Sequence, residues 1–172
     1  MPVFELRVRC EVENVAAIVA DDAFAWRIRV RCNHCGEESP HPLVLYSTDK
    51  VELIRGGAAS ALYKCKLCER QNDVTLLKDG EHVISTDTGD DDDTSPTERN
   101  TQSAYGWHTF ARFECRGMQP VAWEFDDDLV IVTGSGFRIE GAAFEDGAFY
   151  GYDEKAMKEC SVTELESDFC KA

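Results

Sequence analysis

The sequence predicts a mainly β protein made of two similar antiparallel halves, sandwich- or barrel-like in arrangement. Three observations carry that expectation. Apolar and charged residues alternate with period two in several separate runs, the pattern of strands with one buried and one wet face. Helical signal is confined to Asp153–Cys160, where a turn or two is the most the pattern allows. There is also an internal echo: Leu6-Arg7-Val8-Arg9-Cys10 with Val15-Ala16 downstream resembles Phe110 to Cys115 with Val121-Ala122 downstream. An old duplication and chance similarity between alternating strands account for that echo equally well.

Val3 to Val12 is the first alternating run, and Asn14 to Asp22 reads as a connection without strong strand signal. Phe24 to Cys32 alternates again and delivers the chain directly into Cys32-Asn33-His34-Cys35-Gly36. After the break at Ser39-Pro40-His41-Pro42, Leu43 to Tyr46 reads as a strand and Val51 to Ile54 as a short apolar piece. Gly56 to Ala61 is small and flexible. It lacks the Gly-Lys-Ser/Thr ending of a phosphate loop, so a turn or close packing is expected there. Cys65-Lys66-Leu67-Cys68 follows, then closing strands at Asp73–Leu77 and His82–Ile84 around a turn at Asp79-Gly80.

Residues 86–104, with Asp90 to Asp93 and Pro96, have almost nothing to bury and are expected to form a disordered acidic linker or loop. They lack the spaced ligands and closing Glu of a calcium loop. Strand character returns at Trp107–Cys115, Val121–Phe125, Leu129–Val132 and Phe137–Glu140, with Asp126-Asp127-Asp128 marking a turn. The expected division is therefore residues 1–85, 86–104 and 105–172: a β half carrying both C-x-x-C pairs, the acidic linker, and a second β half without them.

The chain has 172 residues, 43% of them hydrophobic, with a mean hydropathy of -0.36, so it can bury a core as one ordinary domain or two small ones. No apolar run is long enough for a membrane helix, and Met1-Pro2-Val3-Phe4-Glu5 is not a basic-then-apolar leader, so a cytoplasmic address with nuclear access is expected. A net charge of -15 repels phosphate backbones and anionic membrane surfaces. The expected partner is a protein with a basic patch, with no nucleic acid and no membrane, and the chain itself is expected to be monomeric.

In a reducing compartment, closely spaced cysteine pairs indicate metal or redox chemistry rather than disulfides. Two residues between cysteines let a tight turn aim both sulfurs at one ion while its amides hydrogen-bond to the thiolates. Gly36 suits the positive φ such a turn needs. The four cysteines Cys32, Cys35, Cys65 and Cys68 thus form a zinc-ribbon-like site for one structural Zn2+ per chain, with a longer insertion between pairs than the roughly twenty residues of a minimal ribbon. Arg31, Lys64, Lys66 and Arg70 offset the excess thiolate charge. A redox dithiol needs a helix after the reactive cysteine, and none is expected after either pair. A catalytic zinc keeps an open position, whereas four thiolates close the shell, and His34 between the paired cysteines is expected to point away.

Cys10 and Cys115 lie in alternating strands and read as small buried hydrophobes. Cys160 and Cys170, near an expected mobile C-terminus, are the better candidates for oxidation or transient metal capture. His41, His82 and His108 have no Ser or Cys partner in a recognisable motif, so no catalytic residues are assigned. Trp26, Trp107, Trp123, Phe113 and Phe125 fall in strands and read as core.

Several segments agree with one family. Trp26 to Glu37, Gly57 to Ser60, Lys64 to Asn72, Phe113 to Val121 and Tyr152 to Ala156 run in the order seen there, and the chain resembles the eukaryotic CXXC-motif-containing zinc-binding proteins. The resemblance implies a mostly β protein of two similar halves with one zinc in the first, held by Cys32, Cys35, Cys65 and Cys68. It supplies no enzymatic activity. The function expected is non-enzymatic zinc binding that supports protein–protein contacts. The alternative is a metal-handling or thiol-redox role in zinc or copper homeostasis.

Overall fold

Alternation in the sequence becomes pairing in space. The structure is a computed structural model that describes residues 2–77, 83–85, 107–124 and 128–172, and every regular element among them is a strand. The first part of the chain supplies β1 (Val3–Glu13), β2 (Val15–Val19), β3 (Trp26–Cys32), β4 (Leu43–Leu45), β5 (Val51–Glu52), β6 (Ala58–Ala59), β7 (Ala61–Lys64), β8 (Gln71–Leu76) and β9 (Val83–Ser85). The later part supplies β10 (His108–Arg116), β11 (Met118–Glu124), β12 (Leu129–Thr133), β13 (Arg138–Ala142), β14 (Phe149–Asp153) and β15 (Lys158–Lys171). The expected acidic linker at 86–104, the turn at Asp79-Gly80 and most of the turn at Asp126-Asp127-Asp128 lie outside the described residues.

The largest sheet runs β14-β15-β1-β10-β8-β7, so β1 and β10 sit side by side at its centre. Smaller sheets run β11-β3-β4 and β13-β12-β2-β9, and β5 and β6 form a separate pair. Two single residues feed the smaller sheets. Asn14 (φ 51) turns the chain from β1 into β2, and Gly117 (φ 76) turns it from β10 into β11. A left-handed residue reverses the pleat at one point, which lets a continuous strand leave one sheet and enter another.

The inward faces meet around Trp26, which is fully buried. Its ring lies 4.8 Å from Phe24, 5.4 Å from Phe110, 5.8 Å from Phe113 and 6.0 Å from Trp123, mostly in tilted or edge-on contacts. Leu6 and Val8 from β1, Ile28 and Val30 from β3, and Leu129 and Ile131 from β12 complete the core. The wet face of the large sheet carries Arg7–Asp168 (2.7 Å), Arg112–Glu5 (3.1 Å) and Arg9–Glu166 pairs. Trp107 belongs to this face rather than to the core: the Arg9 guanidinium stands 4.7 Å from its ring centre. These pairs are half-exposed and each contributes less than about 1 kcal/mol.

Several elements depart from the sequence expectation. Val15–Val19, expected as connection, is a strand paired with both β12 and β9. The C-terminal segment, expected to be mobile, is the longest strand and pairs with β1 along most of its length. Its alternation is concealed by a bulge. Cys160 and Val162 face inward, Glu164 takes φ 52, and Leu165 faces inward after the break in phase. Cys160 is consequently buried, not exposed as expected. The expected helical turn at Asp153–Cys160 is instead the tight connection between β14 and β15.

Candidate metal centre

β3 ends on Cys32, and β7 delivers the chain to Cys65. Each cysteine opens a turn of the same shape. Cys32 N–H donates to Glu37 O (2.9 Å) and Gly36 N–H to Cys32 O (2.9 Å). Cys65 N–H donates to Arg70 O (2.8 Å) and Glu69 N–H to Cys65 O (2.9 Å). The left-handed position is filled by Gly36 (φ 78) in the first turn and by Glu69 (φ 61) in the second. A non-glycine residue there adds backbone strain of about 1 kcal/mol, which the surrounding hydrogen bonds must hold.

These turns bring together the four cysteines singled out from the sequence. The sulfurs of Cys32, Cys35, Cys65 and Cys68 all lie within 4.8 Å of one another. Cys32 and Cys68 are 3.7 Å apart, and Cys35 and Cys65 are 3.4 Å apart. Tetrahedral zinc with Zn–S bonds of about 2.3 Å requires S···S separations of about 3.8 Å, so the donor set fits one such ion. Cys32 and Cys65 are buried, whereas Cys35 and Cys68 are half-buried. The cluster contains no histidine, and His34 is exposed.

Burial alone would push the Cys32 thiol up, but N–H donors from Cys35 and His34 outweigh it and bring it down to about 6. The Cys68 and Leu67 amides likewise lower Cys65. Cys35 behaves oppositely: the Glu37 amide would lower it, but burial and the neighbouring sulfurs drive it up to about 12. Four thiolates at this spacing repel one another, and a divalent cation at their centre removes the conflict. Of the basic residues expected to offset their charge, Arg31 pairs instead with Glu38 at 2.8 Å.

Two further residues complete the site, and neither has a spacing signature that could have revealed it. Asn72 on β8 is buried and donates its side-chain N–H to Cys32 Sγ at 3.8 Å. Gly117, between β10 and β11, accepts the Asn33 N–H at 3.0 Å through its carbonyl oxygen. A Cβ at Gly117 would come 2.3 Å from Asn72 Oδ1. Gly117→Ala should therefore displace Asn72 from Cys32 and strain a backbone at φ 76, destabilising the protein by about 2 kcal/mol. Urea titration checks this: the midpoint should fall while the slope stays constant.

Among the remaining cysteines, Cys115 is buried and its thiol is pushed up to about 12 by desolvation, and Cys10 is pushed up to about 11 for the same reason. Cys170 is half-buried, its sulfur 3.9 Å from Glu5. No described helix is long and apolar enough to cross a membrane.

The sequence matches the family described as "CXXC motif containing zinc binding protein, eukaryotic" over residues 5–170. Proteins carrying that description from mouse and human are 30% and 29% identical to it, each alignment covering 96% of both chains. The crystal structure titled C1orf123 superimposes with a TM-score of 0.80 at 25% identity, covering 99% of each chain. A hypothetical protein from Plasmodium falciparum shares the fold at a TM-score of 0.80 and 18% identity, over 99% of this chain and all of the other. The knuckles, the strand order around them and the full-length match converge: the chain belongs to the eukaryotic CXXC-motif-containing zinc-binding protein family.

Proposed function

We propose that Cys32, Cys35, Cys65 and Cys68 hold one structural zinc ion, and that the chain is a non-enzymatic protein working through contacts with another protein. The observation that carries the metal reading is the closed four-sulfur cluster, which leaves no coordination position for substrate or water. Net charge of -15 favours a partner with a basic surface, in a cytoplasmic setting where the thiols stay reduced. This reading keeps the division into a zinc-binding half at 1–85 and a metal-free half at 105–172, joined through 86–104. The halves exchange their first two strands, β1 and β2 pairing with β15 and β12, and β10 and β11 pairing with β8 and β3.

One observation favours a metal-handling role instead: Cys35 and Cys68 are half-buried and so accessible to a competing thiol or to Cu(I). Mild oxidation and modest chelator separate the two. A structural site retains about one zinc per chain under both, whereas an exchanging site releases it readily. Affinity purification with the wild type and Cys68→Ser in parallel tests the protein-contact reading. A partner lost on metal loss supports it. Identical sets of captured proteins from a zinc-loaded wild type and a zinc-free, folded variant would separate partner binding from the metal.

A further inference from the structure

The turn between β14 and β15 repeats the second cysteine turn in detail. β7 and β8 pair through Ala61–Val74, Leu62–Asp73, Tyr63–Asn72 and Lys64–Gln71. β14 and β15 pair in the same steps, through Phe149–Val162, Tyr150–Ser161, Gly151–Cys160 and Tyr152–Glu159. Asp153 therefore occupies the place of Cys65. Met157 (φ 54) takes the left-handed position that Glu69 takes in the cysteine turn. The equivalence reaches single donors. Leu67 and Cys68 direct their amides at Cys65 Sγ, and Lys155 and Ala156 direct theirs at Asp153 Oδ1, each at 3.1 Å.

The other contributors also correspond. Thr133 ends β12 as Cys32 ends β3, and its N–H donates to Phe137 O at 2.9 Å across a turn one residue shorter than the Cys32–Glu37 turn, with Gly136 at φ 86 in the left-handed position. Gly134 N–H reaches Asn14 O at 3.4 Å, as Asn33 N–H reaches Gly117 O at 3.0 Å. Where sulfurs would converge on a cation, these elements converge on a carboxylate. Ser135 Oγ lies 2.8 Å from both Asp153 oxygens and 3.1 Å from Thr133 Oγ1, and Asn14 Nδ2 donates to Asp153 Oδ2 at 3.0 Å.

We propose that the buried Asp153 carboxylate is the metal-free counterpart of the four-cysteine cluster, a fixed anion that clamps the β12–β13 turn, the β14–β15 turn and the β1–β2 junction together. Its polarity is inverted relative to a zinc site. Electron-pair donors surround a cation in one, and N–H and O–H donors surround an anion in the other. Asp153 is fully buried, and although burial opposes its charge, the Ala156 amide with the Ser135 and Asn14 side chains holds the carboxyl well below the usual carboxylate range. Such a node also explains why this half needs no cysteines at its turns: the ligand set and the ion are replaced by one side chain already covalently attached.

The proposal borrows its comparison from the zinc reading, but the clamp stands on contacts of its own. Hydrogen exchange and thermal melting of the full zinc-bound chain test it, with Asp153→Ala, Asp153→Asn and Ser135→Ala beside the wild type. Asp153→Ala should lower the melting temperature by on the order of 10 °C and speed exchange at least about tenfold in 133–137 and 153–157. Exchange in 32–36 and 65–69, and the zinc content, should not change. Asp153→Asn, which trades one acceptor oxygen for a donor, should fall between. Ser135→Ala should loosen the same two turns by less, and it carries the test if Asp153→Ala does not fold. Unchanged exchange at both turns, or equal loosening of both cysteine turns, would overturn the proposal. If no sample holds zinc while Asp153→Ala still opens its two turns selectively, the metal reading fails and the clamp survives.

Discussion

Cys68→Ser should release the metal and lower the melting temperature by at least about 10 °C. The reason lies in how little else holds the turns together. Each is a short connection stabilised by two backbone hydrogen bonds, and Cys68 itself is only half-buried. Structural zinc commonly supplies on the order of 10 kcal/mol of binding free energy, all of it available to the folded state when no site exists in the unfolded chain. Loss of the metal also leaves the other three sulfurs crowded with no cation between them. The damage should start at β7 and β8, which form one edge of the large sheet, and reach β3 through Cys32. Chelation of the wild type should reproduce the shift. A variant that lacks metal yet melts within about 2 °C of the wild type would show that the cluster contributes nothing to folding.

Trp26→Ala should cost about 3–5 kcal/mol, the range for removing a buried aromatic and leaving its cavity. Trp26 is fully buried and touches aromatic rings from β10 and β11, as well as Phe24 beside it in sequence. Its removal therefore loosens the packing of its own β11-β3-β4 sheet against the large sheet, and the tilted ring contacts add to the loss from burial. Denaturant titration should show the midpoint falling with an unchanged slope. Trp26→Phe should recover part of the loss by refilling some of the volume. A change below about 1 kcal/mol would mean that the neighbours collapse into the space and that Trp26 is not the centre of the core.

Strands with regular alternation were readable from sequence because one-sided burial imposes period two on composition. β1 and β3 obey it, and β10 does so from Ala111 onward, while β12 is legible as a short continuous apolar run of the kind buried on both faces. β15 was not readable, since its bulge at Glu164 shifts the phase midway and acidic residues fill its wet face. β14 is interrupted by Gly151, and the short apolar β2 shows no alternation to separate it from a connection. The cysteine cluster was legible because the spacing of ligands along the chain reflects the geometry of the ion. Asn72, Gly117 and Asp153 have no such local signature. Their roles depend on which strands become neighbours, and that is decided by pairing between distant parts of the chain.

Native mass spectrometry of the full chain, run with and without acid release of metal, tests the central claim most directly. The account predicts one zinc ion per folded chain, lost on Cys32→Ser, Cys35→Ser, Cys65→Ser or Cys68→Ser and retained on Cys10→Ser, Cys115→Ser, Cys160→Ser or Cys170→Ser. A folded, reduced wild-type chain that carries no zinc, or that keeps it after any of the first four substitutions while losing it after one of the others, would contradict the account.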